Sequence, residues 1–254
     1  MQFRVLGSTG CIGGKELSSA YLVDQSILID AGTGLGSLGQ QALEKIDHVF
    51  LSHSHMDHIA LLPLLADATL ESRRQPITVH ATEPTLDALS RHIFNWRIAP
   101  DFRVLPSRDQ PTLRFSPLQA GTPVQVDGCT ITAIPVDHSI PTVAFHVDGG
   151  NGSLVLASDT GVSDGLWPVV NGIANLRYLL IEAAFENARI DLCRTSGHLC
   201  PSLLEQELKR FHGPGDVCIV HVKPTAMAKV RQEVAAFDMD QTPRFLQDGD
   251  ILEF

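Results

Sequence analysis

Four potential metal ligands crowd into six residues of this 254-residue chain. His53, His55, Asp57 and His58 read H-x-H-x-D-H and directly follow an apolar run that is typical of a strand. On a helix, residues two apart point to different faces, whereas in a loop after a strand alternate side chains can converge. Three imidazoles and one carboxylate suit divalent transition metals. The motif therefore predicts a loop that folds around one or two metal ions.

Three further potential ligands each follow an apolar strand candidate. They are His138 after ITAIPVD, Asp159 after LVLAS and His221 after VCIV. The ends of strands are where open α/β folds place their sites. The alternatives are a chance histidine cluster on a solvated turn and three structural residues at strand ends. Because all three follow strands in the same way, the pattern favours one shared metal site.

Short apolar or β-branched runs predict nine strands, and segments with helical spacing predict four helices. The predicted strands are residues 3–6, 26–30, 48–51, 77–80, 129–136, 142–147, 153–157, 178–181 and 217–220, and the predicted helices are residues 59–70, 85–94, 201–211 and 225–237. This order predicts an α/β or α+β fold in which helices cover the outer faces of sheets. The most loop-like segment, residues 100–117, is too short and mixed to divide the chain, so we expect a single domain over residues 1–254.

The composition of the chain limits the partners and the cellular location that we expect. The formal charge of −10 disfavours long nucleic acids, although small anions can still approach a pair of dications inside a cleft. Five cysteines without a C-x-x-C pair, no secretory leader pattern and no long apolar run predict a reduced, cytoplasmic protein without membrane contact. The glycine-rich residues 7–14 lack the Lys-Ser/Thr ending of a phosphate-binding P-loop, and we predict a hairpin turn there.

The ordered set of H-x-H-x-D-H, a single His, an Asp and a final His resembles the ligand set of the metallo-β-lactamase superfamily, over nearly the whole chain. The resemblance implies an αββα sandwich of two sheets flanked by helices. Asp30, in LIDAG, is similar to the early strand-end Asp that supports the histidine loop. By the same resemblance one metal is held by His53, His55 and His138, the other by Asp57, His58 and His221, and Asp159 bridges them. Zinc is the default expectation for these two divalent ions, and manganese or iron suits the same ligands.

The last third of the chain narrows the activity. IEAAF at residues 181–185, TSGHLCP around His198 and HVKP at His221 resemble the class II cyclic-nucleotide phosphodiesterases. Asp159 stands where hydrolytic β-lactamases often have a cysteine, which weakens a β-lactam reading. The resemblance implies a dinuclear phosphodiesterase for a small phosphodiester, with a cyclic nucleotide as first candidate. A water molecule ionised between the metals would attack the phosphodiester, with Asp57 as the catalytic residue at that position. His198, oriented by Glu182, would protonate the leaving oxygen.

Other functions stay open. Glu182 and His198 also resemble the Glu and His of tRNA 3′-processing endonucleases, although Ala184, Leu199 and Cys200 depart from that pattern. No basic insertion that would capture tRNA is found, so nucleic acid is the lesser candidate. An acyl hydrolase for lactones or thioesters and a non-catalytic metal-binding protein are further alternatives. Superfamily members often pair, which makes a homodimer an additional expectation.

Overall fold

Two sheets of seven strands face each other in the computed structural model, which describes residues 1–239 and 242–254. The first sheet has the strand order β14-β1-β2-β3-β4-β5-β6 and the second the order β13-β12-β11-β10-β9-β8-β7. The strands are β1 (Gln2–Gly7), β2 (Ala20–Val23), β3 (Ile27–Ala31), β4 (His48–Phe50), β5 (Ile77–Ala81), β6 (Leu113–Pro117), β7 (Pro123–Val126), β8 (Cys129–Val136), β9 (Thr142–Asp148), β10 (Ser153–Ala157), β11 (Leu176–Glu182), β12 (Asp216–Val220), β13 (Arg244–Phe245) and β14 (Ile251–Glu253).

Helices cover the outer face of each sheet. They are α1 (Gln40–Leu43), α2 (Met56–Ile59), α3 (Leu62–Thr69), α4 (Glu83–Ala88), α5 (Leu166–Val170), α6 (Ile190–Ser196), α7 (Pro201–Leu208) and α8 (Met227–Val234). Leu62 and Leu65 of α3 belong to the same buried cluster as Val49 and Val79 of the first sheet. On the second sheet the outer apolar cluster includes residues of α5, α7 and α8. The predicted αββα sandwich is therefore confirmed.

Burial on both faces explains the composition of the central strands. In β3, Ile27 and Ile29 point into the core between the sheets, where they belong to the same cluster as Phe145 of β9, while Leu28 points outward to the helices. A strand covered on both sides needs apolar residues at every position, which is why these runs show no alternation with polar residues. Such fully buried strands can be predicted from the sequence because they are short apolar runs bounded by loops.

All nine predicted strands are present, and the differences lie in the weaker elements. The segment 59–70 forms α3 and the end of α2 instead of one helix, and segment 85–94 continues from α4 into a π-helical turn over Leu89–Ile93. Residues 100–117, which we read as loop, end in the strand β6. The glycine-rich residues 7–14 do connect two antiparallel neighbours, β1 and β2, but through a long loop instead of a tight turn.

The parallel strands of the two sheets determine where the candidate site residues lie. The strands β3, β4, β5 and β6 run parallel in the first sheet, and β10, β11, β12 and β13 run parallel in the second. The carboxyl ends of each parallel set therefore meet at one edge of the sandwich. Asp30 is the last residue but one of β3 and the histidine loop follows β4. Glu182 ends β11, and Asp159 and His221 follow β10 and β12.

The described residues contain neither a disulfide nor a helix that could span a membrane. All five cysteines are free thiols; four are buried and Cys11 is exposed. None of the helices within residues 1–239 and 242–254 combines the length and apolar character that a membrane span requires. The single domain, the cytoplasmic location and the homodimer stay predictions.

One buried histidine away from the metal centre gives a prediction about stability. His80 stacks on Phe50 with 4.3 Å between ring centroids, and its Nε2 lies 3.0 Å from Nδ1 of His48. Burial and the neighbouring His48 lower the pKa of His80 to about 4. An unfolded histidine has a pKa of about 6.5, so between these values the unfolded chain binds a proton that the folded chain does not. Stability from His80 is thus complete above the unfolded pKa and is lost as pH falls towards 4.

We expect His80→Gln to flatten the fall in the free energy of unfolding across this pH window. Urea unfolding of the metal-free protein at several pH values, from neutrality down to the folded pKa of about 4, would measure this free energy. The exposed His92, changed to glutamine, is the matched control and should leave the wild-type profile intact. Parallel profiles for wild type and His80→Gln would contradict the prediction.

Candidate metal centre

The structure brings all seven predicted ligands together. Within each group, one potential ligand atom per residue lies within 4.8 Å of every other. The first group has four members, His53, His55, His138 and Asp159, and the second has three members, Asp57, His58 and His221. A third, overlapping group joins His198 to Asp159 and His221, so the predicted proton donor lies against the same centre.

Asp159 lies between the two groups and divides its oxygens between them. Its Oδ1 lies 3.1 Å from Nε2 of both His58 and His221. Its Oδ2 lies on the side of the first group, 3.8 Å from Nε2 of His53 and 3.7 Å from Nε2 of His138. A carboxylate that presents one oxygen to each of two ligand groups has the geometry that a bridge between two ions requires.

The donor atoms fit divalent cations. Oδ1 of Asp159 is buried and, among the described residues, has no hydrogen-bond partner, although two imidazole nitrogens lie near it. Further nitrogens crowd together, with Nε2 of His53 only 3.0 Å from Nδ1 of His55. Unpaired buried acceptors are costly, and lone pairs aimed at a common space are what metal coordination satisfies. The nitrogen and oxygen set therefore suits a pair of borderline or hard divalent ions.

Hydrogen bonds behind the ligands fix the direction of the rings. Nδ1 of His58 donates to Oδ2 of Asp30 at 2.7 Å, and Nδ1 of His138 donates to the carbonyl oxygen of Gly197 at 2.7 Å. Nδ1 of His53 lies 2.9 Å from Oγ of Ser52, which is itself hydrogen-bonded to Asp30. Each contact leaves Nε2 free to face the centre, which is the usual arrangement of metal-binding histidines. The supporting role predicted for Asp30 thus has a direct geometric basis.

Charges in the centre favour the ionised carboxylates. Burial by itself would raise the pKa of Asp159, but the imidazoles of His221 and His58 hold it well below its usual range. Burial also opposes the ionisation of Asp57, yet the hydrogen bond from His221 and the charge of His58 keep its pKa low. Both carboxylates are therefore negatively charged near neutral pH and available to cations.

Glu182 is a fully buried carboxylate at the end of β11. Its Oε1 accepts hydrogen bonds from Nδ1 of His198 and the backbone N–H of Thr160, both at 2.8 Å. Its Oε2 accepts from the backbone N–H groups of Leu199 and Ala184, both at 3.2 Å. Since no part of Glu182 is exposed, a solvated strand-end carboxylate is excluded. Four donors hold it rigidly, and it in turn fixes the ring of His198.

His198 lies above the centre, with its ring centroid 4.8 Å from that of His138 and 5.7 Å from that of His221. Burial would lower its pKa, but the charge of Glu182 and the hydrogen bond to it raise the pKa above the ordinary value. Gly197 turns the chain just before it, with φ of 68°, and a Cβ there would lie 2.7 Å from Cα of His138. The turn therefore needs glycine, both for its positive φ and for its close approach to a ligand.

A loop that sequence reasoning did not assign to the site presses on His221. The backbone of Gly10 runs so close that a Cβ there would lie 2.7 Å from Cε1 and 2.9 Å from Nδ1 of His221. Lys223 ties the loop down, because its Nζ donates to the carbonyl oxygen of Gly10. His221 itself has φ of 57°, a strained value for a residue with a side chain. The glycine-rich run was visible in the sequence, but its partner in space was not.

We expect Gly10→Ala to displace His221. The added methyl group must push either the ring or the loop, and overpacking of this kind costs about 1–3 kcal/mol. The affinity for one of the two metals should fall, while the other is retained, as judged by zinc titration of the metal-free protein. Gly39→Ala is the matched control, because its Cβ meets no described atom within 4 Å and φ there is −77°. Equal metal affinity in the two variants would contradict a role for Gly10 in seating His221.

Comparison with known proteins agrees with this geometry. The model of a family described as the beta-lactamase superfamily domain matches residues 25–238. The chain belongs to the beta-lactamase superfamily. This superfamily member is 27% identical, over 208 residues, to a protein of Yersinia pestis named probable 3′,5′-cyclic-nucleotide phosphodiesterase. The alignment covers 72% of this chain and 58% of the Yersinia protein.

Two other proteins are also similar to this superfamily member. It is 32% identical, over 180 residues, to ribonuclease Z of Mycobacterium bovis, with 65% of this chain and 61% of the relative covered. This chain therefore spans less than two thirds of the length of both of these relatives. The crystal structure of unliganded yeast PDE1 superposes with a TM-score of 0.80 at 17% identity, covering 100% of this chain and 99% of that one. That structural similarity supports the fold.

Proposed function

We propose that this superfamily member is a dinuclear metal phosphodiesterase that hydrolyses a small phosphodiester, with 3′,5′-cyclic nucleotides as the first substrates to test. The observation that carries the proposal is the pair of Glu182 and His198, a buried carboxylate and an oriented imidazole set against a centre of seven ligands. A metal-binding protein without catalysis has no need of such a pair. The names of the Yersinia and Mycobacterium relatives support phosphodiester chemistry in general.

The assignment of metals follows the two ligand groups. One ion would be held by His53, His55 and His138, the other by Asp57, His58 and His221, with Asp159 shared between them. Zinc is the first choice for this ligand set, and manganese or iron remain alternatives. When bound, two such ions lower the pKa of a water molecule and polarise the phosphoryl oxygens.

The residues of the chain would then do three things. Asp57, whose side chain is 26% exposed, lies on the open side of the centre and can orient the attacking water by accepting its hydrogen bond. Glu182 holds His198 through Nδ1, which leaves Nε2 as the proton donor. His198 protonates the oxygen of the departing alcohol, a contribution that is worth most when that alcohol is a poor leaving group.

A tRNA 3′-processing endonuclease is the second candidate, favoured by the identity to ribonuclease Z. The net charge of −10 counts against it, because a large polyanion is repelled by the average surface. Hydrolysis of a lactone or thioester would use the same centre but would not need His198 in the same way. A small neutral or singly charged substrate therefore fits better than nucleic acid.

The test is a substrate panel with metal-reconstituted protein. It contains 3′,5′-cyclic AMP, 2′,3′-cyclic AMP, an aryl phosphodiester, a lactone and a precursor tRNA. Selective turnover of a cyclic nucleotide is the expected result, and turnover of the aryl diester alone would retain phosphodiesterase activity without that substrate. Turnover of the lactone or the precursor tRNA in preference to every small diester would overturn the proposal in favour of the corresponding alternative.

A further inference from the structure

A cavity of about 290 Å³ opens beside the metal centre. Its walls come from three segments that follow different strands: residues 137–139 after β8, residues 161–162 after Asp159, and the end of α6 with the turn that leads to α7. His138 and His198 form the wall that it shares with the centre. The cavity is therefore on the side of the centre where His198 lies.

The position of His198 decides which part of a substrate can occupy this space. A general acid protonates the leaving oxygen, so the group attached to that oxygen must lie on the same side as the acid. This step rests on the proposed function. In a 3′,5′-cyclic nucleotide both ester oxygens belong to one ribose, so cleavage of one P–O bond frees a ribose hydroxyl that stays tethered to phosphorus through the other oxygen, and the ribose side of that hydroxyl would face the cavity. In an acyclic diester the alcohol that departs would occupy the cavity and the other ester group would stay on phosphorus outside it.

The size and charge of the cavity limit what it can take. Its volume is at the lower end of the range of ligand pockets, about 300–1,000 Å³, which leaves space for one compact group and excludes a polymer. The lining carries one carboxylate, Asp137, and one guanidinium, Arg194, whose Nη1 lies 3.8 Å from Oδ1 of Asp191. Because the opposite charges balance, the lining offers no net attraction for a second anionic group.

Val162 is an apolar residue of the cavity lining that remains exposed to solvent. It is 50% exposed, stands three residues after Asp159, and lines the cavity together with the buried Cys193 and Leu203. Val162 differs from the exposed Val169 in that it lines the cavity beside His198. Contact with the apolar face of a ring would use this side chain, because such contact removes its surface from water.

We infer that this cavity binds the neutral alcohol half of the phosphodiester and that Val162 sets the size of leaving group accepted. Val162 is thus a specificity-determining residue and not a catalytic one. In an acyclic diester the two ester groups are separate: Val162 would discriminate by the size of the group that leaves and not by the size of the group retained on phosphorus.

Two series of diesters test this separation. In the first, the retained group is methyl and the leaving phenols have matched acidity but increasing bulk. In the second, the leaving group is always 4-nitrophenol and the retained group grows from methyl to a nucleoside. Val162→Ala should raise kcat/KM for the bulkiest leaving group by about tenfold and Val162→Trp should lower it by about tenfold, the range that one or two methylene contacts give. Neither change should alter the second series by more than about twofold.

Val169 supplies the control, since it is also an exposed valine, at 44%, but lies on α5 outside the cavity. Val169→Ala and Val169→Trp should leave both series as in the wild type. Equal responses of the two series to Val162 substitution, or no response, would overturn the inference while the phosphodiesterase proposal stands. Absence of turnover on every diester would overturn the proposed function, and this inference with it.

Discussion

Asp159→Ala is expected to empty both metal positions at once. One oxygen of Asp159 faces His58 and His221 while the other faces His53 and His138, so removal of the carboxylate takes a ligand from each group. It also takes away the buried negative charge that offsets two dications. Elemental analysis should show a fall from two metals per chain to less than one. Turnover should fall below detection on every substrate of the panel.

His221→Ala gives the comparison that makes this result informative. Of the two groups assigned to the metals, His221 belongs only to the one with Asp57 and His58, so its loss should empty that position and leave the other filled. The exposed Asp67 on α3, changed to alanine, controls for the loss of a carboxylate and should keep both metals. If the Asp159 variant still carried two metals per chain, the bridging assignment would be wrong.

The sequence indicated which candidate ligands come together in space because their positions follow from local rules. The histidine loop, Asp159 and His221 follow short apolar strands that run parallel to a neighbour, and parallel strands place such positions at one edge. The H-x-H-x-D-H motif is compact enough to be recognised without knowledge of the sheet order. The prediction for Asp30 rests on the family resemblance of LIDAG, and the structure shows the contact of Asp30 with His58.

Other parts of the site could not be predicted, because they depend on contacts between distant segments. Gly10 meets His221 across 211 positions of sequence, and nothing in the glycine-rich run indicates that partner. Helix α6, which supplies one wall of the cavity, has seven residues and buries only Cys193, so its apolar pattern is too weak to predict a helix. Strands β2 and β7 have four residues each, which is also too short for a reliable periodicity.

The second large effect is expected for His198→Ala. The side chain lies within 4.8 Å of Asp159 and His221 through one ring nitrogen but is outside the two groups assigned to the metals. Both metals should therefore remain bound. Turnover of a cyclic nucleotide should fall by about 10³-fold, within the range of general acid catalysis, because the ribose oxygen leaves poorly without a proton. An aryl diester, whose phenolate leaves readily, should lose less than about tenfold.

This difference between substrates separates a proton donor from a structural residue. If His198 only supported its neighbours His138 and His221, its loss would disturb the centre and slow both substrates by the same factor. His212→Ala, at an exposed histidine, should leave both rates unchanged. A steeper dependence of the rate on leaving-group acidity in the His198 variant is the signature of the missing acid, because the departing oxygen then carries its full negative charge. Equal losses on both substrates with two metals bound would remove His198 from the proposed mechanism and leave the metal centre without a proton donor.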